Sequence, residues 1–191
     1  MSLALALLMG CRLGLPDPLI DQPTVVYEFA HERWTRELHI VRQFETQVIV
    51  KATLITPDLA QAQALTISRS RFEDEATYAA RLQTAQQQAD EEWVVVFAAN
   101  APPPRYADSF ALDDSADWQL HLEADGRRVE PLELERVWEP SADESILYPQ
   151  LDRWSKLWRA RFEKPADADE VDLLVVGPYG NGKITWNLRS R

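Results

Sequence analysis

The segment most suggestive of chemistry lies near the carboxyl end of the chain. Residues 177–183 satisfy the pattern G-x-x-x-x-G-K, in which backbone N–H groups and a lysine bind phosphate. Ile184, however, stands where the pattern needs a serine or threonine to hold magnesium, and the residues after it favour a strand over the phosphate-binding helix. Asn181-Gly182 instead predicts a hairpin turn, because such turns need positive φ. The sequence therefore argues against nucleotide binding.

The histidines and serines form no recognised catalytic or metal-binding pattern. None of His31, His39 and His121 has a partner at the i+3 or i+4 spacing that lets two side chains of a helix bind one metal. Ser109 and Ser155 lack the G-x-S-x-G turn that exposes a nucleophile. We therefore predict no enzymatic activity, no catalytic residue, no metal ligand and no cofactor.

Two acidic stretches offer oxygen ligands that calcium could use. They contain Asp108, Asp113, Asp114 and Asp117 in the first, and Asp167, Asp169, Glu170 and Asp172 in the second. Neither spacing matches the twelve-residue calcium loop with its central glycine. A solvated acidic rim is the favoured interpretation, and calcium binding is the alternative.

The only cysteine of the chain follows an apolar run at the amino terminus. Leu8-Met9-Gly10-Cys11 resembles a bacterial lipobox, at which a signal peptide is removed and the new terminal cysteine is acylated. No lysine or arginine precedes the run, although signal peptides normally begin with one. We expect residues 1–10 to be a signal peptide, Cys11 to be lipidated and the proline-rich residues 11–24 to form a tether. The alternatives are a cytosolic protein with a buried Cys11 and a secreted form of the protein.

Composition limits the partners that the protein can have. The formal net charge is −11, and a field of that sign repels phosphate backbones, so we expect no nucleic-acid partner. A single cysteine excludes an internal disulfide and a thiolate zinc cluster. The length of 191 residues, with 46% hydrophobic and 27% charged residues, is typical of one folded domain, which we place at 25–191.

Cations and aromatic residues alternate over 153–162, a pattern that can stack on bases or bind a membrane surface. As a strand, the segment would point Trp158 and Phe162 into the core, while Arg159 and Arg161 would face solvent and pair with acids on adjacent strands. As a helix, it would spread its cations around all sides. The core interpretation is favoured, while the choice between strand and helix stays open.

The remaining elements follow from apolar periodicity and turn residues. Strands are predicted over 38–41, 44–56, 93–99, 118–122, 129–138, 171–177 and 183–188. Thr56-Pro57-Asp58 predicts the start of one helix, and Ser70-Arg71-Phe72-Glu73 predicts a capping box that opens a second. Asp125-Gly126 predicts a hairpin, and Pro131 in the returning strand indicates an edge or a bulge.

About eight strands, with two helices inserted at about 57–91 between the second and third, predict a mainly β fold. We expect an immunoglobulin-like antiparallel β-sandwich. The tryptophans support such a core, because each of these four lies on a predicted strand: Trp93, Trp118, Trp158 and Trp186.

Several motifs, taken in order, resemble uncharacterised bacterial lipoproteins in which a sandwich-like domain follows an acylated cysteine. They are Asp108-Ser109-Phe110 with Trp118-Gln119-Leu120-His121-Leu122, Asp125-Gly126-Arg127-Arg128-Val129-Glu130-Pro131, Leu147-Tyr148-Pro149-Gln150-Leu151-Asp152-Arg153-Trp154, and Gly177-Pro178-Tyr179-Gly180 to Trp186. The resemblance implies a location and a fold, and it implies no activity.

We therefore expect a lipid-anchored cell-envelope protein that serves as a protein-interaction or structural module. Arg12 follows Cys11 where inner-membrane lipoproteins of enteric-type bacteria carry aspartate, which favours the outer membrane, facing the periplasm. The alternatives are a small-molecule or calcium-binding module that uses the acidic loops, an enzyme of unrecognised class, and a cytoplasmic location. A pocket with convergent titratable residues would favour binding or catalysis over protein contacts.

Overall fold

The computed structural model describes residues 23–101, 112, 117–148, 155–164 and 168–189. The helices in these ranges are α1 (Pro23–Trp34), α2 (Pro57–Ser70), α3 (Glu75–Glu91) and α4 (Ala142–Leu147). The strands are β1 (Thr35–Arg42), β2 (Glu45–Ile55), β3 (Glu92–Asn100), β4 (Gln119–Ala124), β5 (Arg127–Val129), β6 (Glu133–Val137), β7 (Lys156–Glu163), β8 (Glu170–Gly177) and β9 (Gly180–Asn187). None of the described helices is long and apolar enough to cross a membrane.

The strands form two antiparallel sheets, which confirms a mainly β, sandwich-like fold. The five-stranded sheet has the order β1-β2-β3-β7-β6, and the four-stranded sheet has the order β5-β4-β8-β9. Strands of the two sheets alternate along the chain, since β4 and β5 lie between β3 and its partner β7. The helices α2 and α3 follow β2 in the chain and precede β3. The immunoglobulin-like arrangement stays a prediction.

One hydrophobic core joins the inner faces of both sheets, as strands that alternate buried and exposed residues require. The five-stranded sheet contributes Leu54, Phe97 and Phe162, and the four-stranded sheet contributes Leu173 and Trp186, all with at most 1% of their surface exposed. The four tryptophans expected in the core are buried.

The segment that was ambiguous between strand and helix is the strand β7. Trp158 and Phe162 are buried, as the strand interpretation predicts. Arg161 binds Glu92 of β3 at 2.7 Å and also Glu133 of β6, which confirms the expected pairing with neighbouring strands. Arg159 also has the expected partner on a neighbouring strand, since its guanidinium lies 3.9 Å from Glu135 of β6, and it has a second partner that was not expected, Glu144 of α4, at 2.7 Å.

The hairpin at Asp125-Gly126 forms between β4 and β5, as predicted. The strand expected over 129–138 is broken at 130–132, so that β5 and β6 become edge strands of different sheets. Pro131 lies at the break, where a residue without an N–H costs no ladder hydrogen bond.

Helix α2 begins at Pro57, as predicted, but the capping box expected at Ser70 is wrong. Ser70 ends α2, and its hydroxyl donates to the Ile67 carbonyl at 2.7 Å. Phe72, with φ of 54°, then reverses the chain, and Asp74 caps α3 by accepting from the Thr77 N–H at 2.8 Å. Asp74, one residue beyond the end of the predicted box, caps α3 because its side chain reaches the third N–H of the helix.

Two helices were not predicted. Helix α1 begins at Pro23, inside the expected tether, and tertiary hydrogen bonds hold its last residue: Trp34 Nε1 donates to Asp58 at 2.9 Å, and the Trp34 carbonyl accepts from Trp186 Nε1 at 2.8 Å. Exposed Val26 and Phe29 weaken its amphipathic pattern, which explains why periodicity missed it. Helix α4 has only six residues.

The predicted hairpin at the carboxyl end forms between β8 and β9, but its turn does not lie at Asn181-Gly182. Pro178 and Tyr179 form the two-residue loop, while Gly182 lies within β9 opposite Val175. A Cβ atom on Gly182 would lie 2.6 Å from the Leu38 side chain of β1. This glycine therefore serves the close approach of β9 to β1 rather than a turn.

Several predictions fall outside the described residues. They concern the signal peptide, Cys11, most of the tether, Ser109, Asp108, Asp113, Asp114 and Asp167.

Candidate functional site

Most residues that the sequence marked for chemistry are engaged in structural contacts. Lys183 of the phosphate-loop pattern binds Asp172 at 2.9 Å, and Thr185 donates to the same carboxylate at 2.5 Å. His39 lies beside Glu37, and His121 beside Gln119, each on the exposed side of its strand. These contacts explain the lysine and the glycines of the pattern by strand pairing, without a phosphate.

The described residues of the two acidic stretches form no cluster that could hold a metal ion. Asp117 is exposed, Asp169 pairs with Arg189, and Asp172 is taken up by Lys183. The described part of these stretches therefore offers no support for a calcium site.

A cavity of about 350 Å³ lies between the helices and the outer face of the five-stranded sheet. Strands β2, β3 and β7 form its floor, helices α2 and α3 one wall, and α4 with Tyr148 another. Its apolar lining consists of Ile55, Ala60, Ala85, Ala89, Val94, Val96 and Leu147. A concave, partly apolar site of this size is typical of small-molecule binding.

Polar side chains from four separate elements converge on this cavity: Gln63, Gln88, Glu144, Tyr148 and Arg159. Glu144 accepts from Arg159 Nη2 at 2.7 Å, and Gln63 Nε2 donates to the Tyr148 hydroxyl at 3.2 Å. Tyr148 is only 4% exposed, and Gln63 is the one hydrogen-bond partner of its hydroxyl among the described residues. A hydroxyl can both donate and accept, so the Tyr148 hydroxyl has room for a second hydrogen bond to a ligand.

Local sequence explains how Glu144 and Tyr148 are held. Ser141 and Glu144 form a capping box at the start of α4: the Ser141 N–H donates to Glu144 at 2.8 Å, and the Glu144 N–H donates to the Ser141 hydroxyl at 3.2 Å. The Tyr148 N–H then closes the helix by donating to the Glu144 carbonyl at 2.8 Å. The same short helix therefore fixes both residues against the sheet.

The cavity is close to electrically neutral. Burial raises the pKa of Tyr148 to about 12, so the phenol keeps its proton at neutral pH. Burial alone would raise the pKa of Glu144, but hydrogen bonds from Ser141 and the charge of Arg159 outweigh it and lower that pKa. Glu144 and Arg159 are thus charged and compensate each other.

His31 lies on the other side of Tyr148. Its ring centroid is 6.1 Å from that of Tyr148, and its Nε2 lies 3.4 Å from the Thr35 hydroxyl and 3.5 Å from the Thr53 hydroxyl. Burial lowers the pKa of His31, and the charge of Lys51 adds to the effect. The imidazole is therefore neutral at physiological pH, with two hydroxyl neighbours.

A furrow continues from the cavity along the surface between α2 and α3, with a volume of about 530 Å³. The two spaces share Ala60, Gln63, Ala85 and Gln88. The rest of the furrow is lined by Ala64, Ile67, Thr77, Ala80, Arg81 and Thr84.

The chain matches no protein-family model, no curated protein and no solved structure, so the geometry alone carries the functional argument. The sequence identified none of the five polar residues of the cavity as site residues, and it indicated for Arg159 only a pairing with acids on neighbouring strands. The only local signal was the Ser-x-x-Glu pattern at Ser141, which marks a helix start rather than a site.

Proposed function

We propose that this domain is a binding module for a small, uncharged, polar molecule, which it holds in the cavity beneath α2, α3 and α4. The observation that carries the proposal is the buried Tyr148 hydroxyl in the cavity wall, whose one partner among the described residues is Gln63. A polar group of a ligand can make the second hydrogen bond of this hydroxyl, and the apolar floor removes the rest of the ligand from water.

The charges of the cavity select an uncharged ligand. Glu144 and Arg159 already form an ion pair at 2.7 Å, so a charged ligand would have to compete with one of them. The side-chain amides of Gln63 and Gln88 can each donate and accept, which suits a carbonyl group beside an N–H or a hydroxyl. A primary carboxamide carries both groups and is therefore a suitable probe.

Titration of the full-length, ¹⁵N-labelled protein with hexanamide tests this proposal. We expect saturable chemical-shift changes in α2, α4 and β7, and a dissociation constant that rises about threefold to tenfold in Tyr148→Phe, the effect of losing one hydrogen bond. Tyr179→Phe, at the β8–β9 turn, removes the same atom from a tyrosine outside the cavity and should bind like the wild type.

Two results would contradict the proposal. One is the absence of saturable shifts at millimolar hexanamide, and the other is an equal dissociation constant for wild-type protein and Tyr148→Phe. Hexanoate serves as the charged comparison, and it should bind more weakly than hexanamide because no cation in the cavity is free of a carboxylate.

We also propose that the domain is anchored in the bacterial cell envelope by a lipid on Cys11, facing the periplasm from the outer membrane. The lipobox resemblance of residues 8–11 supports this location. Metabolic labelling with a fatty acid, followed by envelope fractionation, should label the wild type and leave Cys11→Ala unlabelled. Label and membrane association that survive the substitution would overturn the anchor.

For the fold, we propose the immunoglobulin-like version of the sandwich. Two antiparallel sheets that share one tryptophan-rich core support it. The test is the strand order in a crystal structure: an order that cannot be matched to the immunoglobulin pattern, with strands A, B, E and D in one sheet and C, F and G in the other, would contradict it. The protein-contact and calcium hypotheses stay predictions.

A further inference from the structure

The furrow between α2 and α3 has the dimensions and lining of a site for an aliphatic chain. Ala60, Ala64 and Ile67 of α2 are buried and form its floor, while the α3 side is more exposed. Ala60 and Ile67 are two helical turns apart, which makes the furrow about 10 Å long, the length of an extended chain of about eight carbons. Small side chains along both helices leave the space that larger ones would fill.

The polar groups of the furrow are already engaged in the protein's own contacts. Arg81 is held by Glu73 in a two-point ion pair, with Nε 3.0 Å from the carboxylate. The Thr84 hydroxyl donates to the Ala80 carbonyl at 3.1 Å within its own helix. Beyond Gln63 and Gln88, at the junction with the cavity, the furrow therefore offers mainly apolar contact.

The cavity supplies the independent sign of a ligand at the inner end of this furrow. Tyr148, a residue 96% buried, lines the cavity, and its hydroxyl has Gln63 as its one hydrogen-bond partner among the described residues, which leaves a second hydrogen bond for a ligand. A molecule whose polar group reaches Tyr148 can extend past Gln63 and Gln88, the residues that both spaces share, into the furrow. The polar groups of the cavity are thus followed, beyond Gln63 and Gln88, by the mainly apolar lining of the furrow.

We propose that the ligand is a single-chain amphiphile. This inference rests on the proposed function: the uncharged polar head occupies the cavity at Tyr148, and a straight aliphatic chain lies in the furrow between α2 and α3. A chain of about eight carbons fills the furrow from Ala60 to Ile67.

A homologous series of straight-chain primary amides, from butanamide to decanamide, tests the inference by NMR titration of the full-length protein. We expect the dissociation constant to fall about twofold to fourfold with each added methylene, as burial of one CH₂ group predicts. The gain should stop at about eight carbons, where the furrow ends. Shifts of α2 and α3 amides near Ile67 should appear only with the longer chains.

A variant that blocks the furrow separates this site from apolar binding elsewhere. Ala80→Leu replaces a methyl group on the exposed wall of the furrow with an isobutyl group, at a position where the helix can accept a leucine. It should bind butanamide like the wild type but lose the gain from longer chains, about tenfold or more at octanamide. Ala79→Leu makes the same change at an exposed position of α3 outside the furrow and should keep the full gain.

The possible results distinguish the inference from the proposed function. A chain-length gain present in wild type and Ala79→Leu but absent in Ala80→Leu supports the inference. An equal gain in Ala80→Leu overturns it, because the chain then lies elsewhere. Affinity that is independent of chain length but still sensitive to Tyr148→Phe also overturns it, while the proposed function stands. The absence of binding by every amide removes both.

Discussion

The two faces of strand β7 show how differently this protein uses its inner and outer layers. On the inner face, Trp158 and Phe162 are buried in the core between the sheets, and the Trp158 ring stacks on Phe97 with centroids 6.5 Å apart. On the outer face, Arg159 and Arg161 lie in ion pairs with acids of α4, β3 and β6. The inner face of β7 is filled by apolar side chains, whereas its outer face carries cations and borders the cavity.

This difference indicates a division of roles within one strand. Close-packed apolar residues determine stability and tolerate little change, because removing atoms leaves a void. Polar groups under a thin helical layer contribute less to stability but give specific contacts. The inner face therefore holds the fold, and the outer face is the side available for binding.

The largest effect is expected from truncation on the inner face. Phe162→Ala should lower the free energy of unfolding by about 3–5 kcal/mol, because it removes a fully buried ring. Urea denaturation followed by tryptophan fluorescence measures the loss. Phe44→Ala is the matched control, since Phe44 is fully exposed at the β1–β2 turn, and it should stay within about 0.5 kcal/mol of wild type. Similar losses in both variants would break the comparison.

An intermediate effect is expected on the outer face. Arg159→Ala should cost about 1–2 kcal/mol, because Glu144, whose side chain is only 14% exposed, loses its cation. Arg127→Ala removes an exposed ion pair with Glu163 at 3.4 Å and should cost less than about 1 kcal/mol. Denaturation of both variants at neutral pH measures the difference. A loss in Arg159→Ala as large as that in Phe162→Ala would show that the outer face also carries the fold.

The ion pair of Glu144 and Arg159 also predicts that the free energy of unfolding depends on pH in the acidic range. The pKa of Glu144 in the folded protein lies below its usual value of 4.5, so its stabilising contribution is present above that pH and is lost as the pH falls through the lower folded value. Glu144→Gln should therefore be less stable than wild type at pH 7, and the gap should narrow below about pH 4. A gap that is constant with pH would contradict the ion pair.

The smallest effect concerns His31. Because its pKa is lowered on folding, the unfolded chain binds the proton more tightly, and stability should fall as the pH drops below 6.5. His31→Gln should remove this part of the slope between about pH 7 and pH 5, a change of less than about 1 kcal/mol. Thermal melting at several pH values measures it, and equal slopes in the two proteins would contradict the prediction.

Much of the sheet structure could be predicted from local patterns. Alternation along β2 and the valine-rich run of β3 predicted strands, and Pro57 marked the start of α2, because burial and backbone geometry act within a few residues there. Local rules failed where another part of the fold decided the outcome. Asn181-Gly182 predicted a turn, but Gly182 lies within β9, where the Leu38 side chain of a distant strand occupies the space that a Cβ atom would need.

The candidate site could not be predicted in the same way. Gln63, Glu144 and Arg159 lie on different elements, and only the packing of α2 and α4 on the sheet brings them together. Strand alternation predicted that Arg159 faces outward and pairs with a neighbouring strand, but it did not predict the helix that covers this face. The helix that covers it, α4, is too short to produce a periodic signal.

The order of the strands along the chain also bears on how the protein folds. Neither sheet is a continuous piece of sequence, since Ala99 of β3 pairs with Lys156 of β7, while Ala124 of β4 pairs with Val171 of β8. Each sheet contains strands that are separated in the chain by strands of the other sheet. Neither sheet is therefore an independent folding unit. Such non-local pairing is typical of slow folding. The two sheets should therefore be lost together in one cooperative unfolding transition, and a cut between β5 and β6 should leave no half that folds alone.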